Sequence, residues 1–92
     1  LLDYVVAIAR ATRQFPGVRV GVSPRGSLAL LAAARARALL LGRDFLVPDD
    51  VKSVAVPVLA HRLVFEGAED GADRELAEGA VREILGLVPV PR

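Results

Sequence analysis

The chain has 92 residues, 53% apolar and 25% charged, with a formal net charge of +1. One hydrophobic core is what this length supports, and so much apolar content excludes a disordered tail. With no cysteine there is neither a disulfide framework nor a thiolate metal site, and the longest unbroken apolar run, Leu28 to Ala34, falls far short of the roughly 18 residues that cross a bilayer. We therefore expect a single domain over 1–92 that does not enter a membrane and sits in a reducing cytoplasm. No methionine is present and the chain opens on Leu1-Leu2 in mid-pattern, so it reads as a piece of a longer protein.

Charge is unevenly spread. Leu1 to Arg43 carries seven arginines against Asp3, whereas Asp44 to Arg92 carries ten acids against five bases. Such a split marks either a side that faces a polyanion or two halves that pair with one another.

Leu2, Val5, Val6, Ala9 and Thr12 recur at helical spacing with Asp3 in the first turn, and Phe15-Pro16-Gly17 stops the pattern. Val18 to Val22 alternates like a short strand. Ser23-Pro24 then begins a second helix, because a serine oxygen caps a free backbone N–H and proline fits the first helical position. Leu28, Leu31, Ala32, Arg35, Ala38 and Leu39 give its expected inner face, the alanines allow a neighbour to come close, and Gly42 ends it. Phe45-Leu46-Val47 is extended and is the expected partner of Val18 to Val22. Pro48-Asp49-Asp50 opens a third helix with Val51, Val54, Ala55, Val58 and Leu59 inward and a kink or break expected near Val56, before Pro57. Leu63-Val64-Phe65 suits a short strand, and 66–72 has the composition of an exposed loop. Asp73 is the expected cap of a fourth helix lined by Leu76, Ala77, Ala80, Val81, Ile84 and Leu85, which Pro89 and Pro91 end. The predicted fold is all-α: a small four-helix bundle with at most one short two-stranded β pairing.

Chemistry-bearing motifs are few. The chain has no glycine-rich phosphate loop with its lysine, no acidic pair after a strand, and no serine or cysteine matched to a base. His61 is the only histidine and lacks a second ligand at metal spacing, so it reads as structural or solvent-facing. Arg25 stands out because it follows the cap and Pro24 of the second helix, where a phosphate would meet both helix N–H groups and a planar fork of donors. On chemistry alone, pairing with an acid of the C-terminal half, or plain solvation, is the favoured account of it. Arg37, on the same helix but outside the motif, is expected to be nearly neutral to alanine replacement.

Asp3-Tyr4-Val5-Val6, Arg10-Ala11-Thr12-Arg13, Gly21-Val22-Ser23-Pro24-Arg25-Gly26, Gly42-Arg43-Asp44-Phe45, Pro48-Asp49-Asp50-Val51, His61-Arg62-Leu63 and Val88-Pro89-Val90-Pro91 together resemble the C-terminal lid of MoxR-type AAA+ ATPases. Order and spacing both fit, and magnesium chelatase subunits and replicative helicases carry similar lids. The resemblance implies a helical lid packed against a large nucleotide-binding domain of the same chain and against neighbouring subunits of a hexameric ring. It implies ATP and Mg2+ as cofactors, bound mainly by that large domain, and Arg25 as the sensor-2 arginine, a catalytic and nucleotide-contacting residue on the γ-phosphate side. It further implies ATP hydrolysis by the parent, coupled to remodelling or maturation of client proteins, with the lid alone inactive. Two departures stand out: Val47 where the family often has a capping threonine, and Phe45 for a common tyrosine.

The competing readings are an arginine-rich nucleic-acid-binding module and a plain protein-interaction bundle without a nucleotide role. Near-neutral total charge, and arginines spread over several faces without aromatics between them, disfavour the first.

Overall fold

The computed structural model describes residues 1–66 and 72–91, the side chains of 72 and 73 excepted. Four helices follow in order: α1 (Leu2–Gln14), α2 (Pro24–Leu40), α3 (Pro48–Leu59) and α4 (Ala72–Leu87). Between them lie a two-stranded antiparallel ribbon, β1 (Val18–Val20) with β2 (Val64–Phe65), and one 3₁₀ turn at Ala60–Arg62. The small helical bundle with one short pairing is thus the observed architecture.

Helix α1 buries Tyr4, Val5, Ile8, Ala9 and Thr12. Its expected face is rotated slightly, since Leu2 and Val6 face solvent while Tyr4 and Ile8 point inward. Pro16 disfavours a helical Phe15, which is extended at φ −70° and ψ 134°, and Gly17 takes φ +85°, a conformation open to glycine.

Helix α2 departs most from expectation. Its buried row is Gly26, Leu30, Ala34 and Ala38, while Leu28 is 64% exposed and Leu39 68% exposed. Arg35 is likewise exposed. A helix with leucine or alanine at nearly every position has no apolar side of its own, so its neighbours choose the face. They choose small residues: Ala34 and Ala38 suit a close approach of α3, its main partner, and Gly26 that of Val22 and Arg62. At the C-terminus Gly42 has φ +81°, its N–H donates to the Leu39 carbonyl at 3.0 Å, and the Arg43 N–H donates to the Ala38 carbonyl at 2.9 Å. That pair of bonds is the Schellman stop that Gly42 predicts.

Helix α3 buries Val51, Ala55 and Leu59, with Val54 and Val58 half-buried, as its spacing predicts. The expected break near Val56 is absent. The helix runs on to Leu59 with Pro57 inside it and only then tightens into the 3₁₀ turn. Pro57 and Ser53, whose carbonyl loses its helical partner to the proline, both face solvent, where water can replace the missing bond.

The ribbon also differs from the sequence reading. Val18 pairs with Phe65 and Val20 with Val64, across an irregularity in register, and the Glu66 N–H donates to the Gly17 carbonyl at 2.9 Å. Phe45 to Val47 is not the partner of β1. Phe65 is buried and anchors the ribbon on the core, whereas Phe45 is 59% exposed. In α4, Ala77, Ala80, Val81 and Ile84 are buried, Leu76 is exposed, and Leu85 packs from the edge. The helix starts at Ala72, so Asp73 lies in its first turn rather than before it; the Asp73 side chain and the loop after Glu66 fall outside the described residues.

Candidate functional site

Arg25 owes its position to the three residues before the helix. Val22 is fully buried, and α1 grips its backbone from both sides: the Val22 N–H donates to the Thr12 hydroxyl at 2.9 Å, while Arg13 Nε and Nη2 donate to the Val22 carbonyl at 3.2 and 3.0 Å. Thr12, itself fully buried, donates onward to the Ala9 carbonyl at 2.6 Å. Gly21 makes this approach possible, because a Cβ there would stand 2.9 Å from both the Arg13 N and its Cα. No alanine fits.

The start of α2 follows from that anchor. Ser23 is extended and its Oγ accepts the Gly26 N–H at 3.2 Å, while the Ser27 N–H donates to the Ser23 carbonyl at 3.0 Å. Proline has no N–H, so the Arg25 N–H is the donor of this first turn left without a partner among the described residues. A single free N–H is less than the several that an uncapped helix end would offer. Gly26 is buried against the next layer: a Cβ on it would meet Val22 Cγ1 at 2.7 Å and Arg62 Cδ at 3.1 Å. Arg62 is held in turn by its Nε bond to the Val58 carbonyl at 3.1 Å.

Arg25 itself is exposed and makes no ion pair among the described residues, and the first turn of α2 contains no acid. The alternative, pairing with an acid of the C-terminal half, is not seen among the described residues; Glu69, Asp70 and the Asp73 side chain lie outside them. Arg13 and Arg62 are bonded to neutral carbonyls and make no ion pair among the described residues. The arrangement is a pinned helix start with positive charge and an unused planar fork, which suits an anion. The first turn of α2 offers no carboxylate for a magnesium ion. Among the described residues no three His, Cys, Asp or Glu side chains gather to hold a metal, and His61 is solvent-facing.

The AAA lid domain family matches residues 10–84. The chain belongs to that family. Its relatives place it in the MoxR type: the chain is 40% identical to Chaperone MoxR1 of Mycobacterium tuberculosis over 100% of its own length and 26% of that protein, and 40% identical to Protein MoxR of Methylorubrum extorquens over 80% and 22%. It is also 46% identical to an uncharacterized protein YeaC of Bacillus subtilis, over 97% of this chain and 28% of the other. The lid thus spans about a quarter of the length of the curated relatives it matches. No solved structure matches it.

Sequence reasoning missed the second polar feature of this lid. Asp50 is fully buried and carries four close bonds: Arg37 Nη1 to Oδ1 at 2.7 Å, Arg43 Nη2 to Oδ1 and Nη1 to Oδ2 at 2.7 Å each, and the Val47 N–H to Oδ2 at 2.9 Å. The Arg43 hydrogen bonds, then the Val47 N–H and Arg37, hold the Asp50 carboxyl well below the usual carboxylate range despite its burial. Asp50 thereby supplies from within α3 half of a capping box that Val47 cannot supply from its own side chain. Arg43 also lies over the exposed Phe45 ring, 5.7 Å from its centre. Arg37 is engaged in a buried pair and is no neutral control. The charge split between the two halves is realised here as pairing, with both arginines from the first half and Asp50 from the second. The Pro48-Asp49-Asp50 helix start was legible as a signal, but its arginine partners were not.

Proposed function

We propose that this lid closes over an ATP site built by a large nucleotide-binding domain of the same protein, in a cytoplasmic, hexameric assembly that hydrolyses ATP to remodel or mature client proteins. Arg25 is the sensor-2 residue of this reading: its guanidinium meets the terminal phosphate, and the rigid start of α2 carries nucleotide state into the orientation of the lid. ATP and Mg2+ are held mainly by the large domain, since the sequence has no glycine-rich phosphate loop and no metal-ligating group of three gathers among the described residues. The observation that carries the reading is an exposed Arg25, without an ion-pair partner among the described residues, on a helix start that is otherwise fixed by hydrogen bonds.

A second observation agrees with it. Arg25, Leu28, Ala32, Arg35 and Leu39 are all exposed and form one stripe along α2. An exposed stripe with two leucines and an alanine, running from Arg25, is what a helix presents to a large domain that it covers. The nucleic-acid alternative loses support in the same place, because Arg13, Arg37 and Arg43 are already bonded to protein acceptors.

Arg25→Ala in the full-length assembled protein is the decisive experiment. Removing one preorganised charged donor from the transition state costs roughly a hundredfold to a thousandfold in turnover. Arg25→Lys rescues little, since the ammonium lacks the two-pronged fork. ATP affinity falls more than ADP affinity, and the melting temperature of the lid stays at its wild-type value. Wild-type hydrolysis by an assembled Arg25→Ala protein would refute the sensor role.

A further inference from the structure

Where the turn from α1 to β1, the end of β2 and the first half of α4 meet, the lid has an open groove of about 500 Å³. Phe15, Phe65, Leu76 and Ala80 make its apolar wall, and Gly17 and Gly79 leave it bare of side chains at two points. A Cβ on Gly79 would meet nothing within 4 Å. Among the described residues, three exposed carboxylates, Glu66, Glu75 and Glu83, stand around it, and no arginine or lysine lines it.

The acids of α4 are not all alike. Glu78 is paired with Arg74 at 3.3 Å and Arg82 at 3.9 Å, which uses the two arginines of the helix on a different side from the groove. Glu75 and Glu83 keep no ion-pair partner among the described residues. An apolar floor flanked by uncompensated like charge is costly to leave as it stands and selects a cationic, apolar visitor.

We propose that this groove docks a segment of another protein, in extended form, that carries a large apolar side chain between two arginines or lysines. The apolar side chain lies over Gly79, between Phe15 and Leu76, and the two cations meet Glu75 and Glu83. These glutamates are eight residues apart on one helix, or about 12 Å along its axis. An extended chain rising about 3.3 Å per residue spans that with bases about four positions apart. The groove shares no residue with the Arg25 site, so the two readings fail separately.

Selection of displayed seven-residue peptides against the folded lid, followed by titration into isotope-labelled lid observed by NMR, tests the proposal. Recovered peptides are expected to place arginine or lysine on both sides of a phenylalanine, leucine or tryptophan and to shift the amides of Gly17, Leu76, Gly79 and Ala80. Glu75→Lys with Glu83→Lys should weaken the recovered peptides roughly tenfold or more, the equivalent of two lost ion pairs. Gly79→Leu projects a side chain into the groove from a position where a Cβ meets nothing within 4 Å, and it raises helix propensity, so it should abolish binding in a lid that remains folded. The proposal is overturned if the peptides lack basic residues, if their shifts map to the α2 stripe, if Gly79→Leu binds them as wild type does, or if no peptide engages the groove. Self-association of the wild-type lid that Gly79→Leu removes, seen by sedimentation, would make the occupant a second copy and overturn it as well.

Discussion

The two ends of α2 hold arginines in opposite states. At the C-terminal end Arg37 and Arg43 are consumed by one buried carboxylate, Asp50, and their charge fixes the turn into α3. At the N-terminal end no acid takes part: the Arg13 guanidinium on the Val22 carbonyl, a threonine hydroxyl, a serine cap and two glycines at close approach do the fixing. Arg25 is thereby left out of the structural work, and its charge remains available. The lesson is that an arginine's role on a helix follows from whether an acceptor has been built beside it, and not from its helical position.

That contrast breaks most visibly at Asp50. Asp50→Ala strands two guanidinium groups and the Val47 N–H around a buried vacancy, so a fall in melting temperature on the order of 10–20 °C, or failure to fold, is expected by thermal unfolding. Arg43→Ala should cost more than Arg37→Ala, since Arg43 holds both carboxylate oxygens and Arg37 only one. Both should cost more than Arg25→Ala, which should leave the melting temperature unchanged. The same carboxylate sets the acid limb of stability. Its folded pKa lies below that of an unfolded aspartate, about 3.9, so its contribution is present above about pH 5 and is lost as pH falls through 4 towards the folded value. Asp50→Asn should flatten that limb of a stability-against-pH curve.

At the other end the largest effect should come from Thr12→Val, which keeps the shape of a fully buried side chain but leaves the Val22 N–H without its acceptor. A loss of about 1–3 kcal/mol is expected by denaturant unfolding. Thr12 was visible in the sequence only as one more position on the inner face of a helix, because a hydroxyl that reaches a backbone N–H ten residues on leaves no local pattern. Caps and stops behaved differently. Ser23, Pro24 and Gly42 act on their immediate neighbours, and all three fall where the sequence places them. The inner face of α2 was not legible, since a run of alanine and leucine leaves the choice to tertiary packing, and the strand pairing was misassigned because Phe65's burial depends on a fold that Phe45's does not share. Arg25 as a candidate was legible from its place after Ser23-Pro24, but that it has no acidic partner among the described residues needed the fold.

The smallest effects compare the two helix starts directly. Ser23 caps α2 with its side chain, so Ser23→Ala should cost about 1 kcal/mol. The start of α3 is the converse case: Val47 occupies the cap position with φ −122° and ψ 160°, a backbone that suits threonine, yet its side chain accepts nothing. Asp50 compensates in part by accepting the Val47 N–H, and the Asp50 N–H already reaches the Val47 carbonyl at 3.0 Å. Val47→Thr would add the missing hydroxyl acceptor in nearly the same volume, completing a capping box of which only the Asp50 half exists. Because one first-turn donor is already satisfied, the gain should be smaller than the loss at Ser23, about 0.5 kcal/mol, or roughly 2–4 °C in melting temperature. The sign is the informative part. Stabilisation by Val47→Thr would show that α3 starts under-capped and that Asp50 acts chiefly through Arg37 and Arg43. A neutral or negative result would show that the buried carboxylate already serves the helix start in full, and that the two ends of α2 differ less in their capping than in what they do with charge.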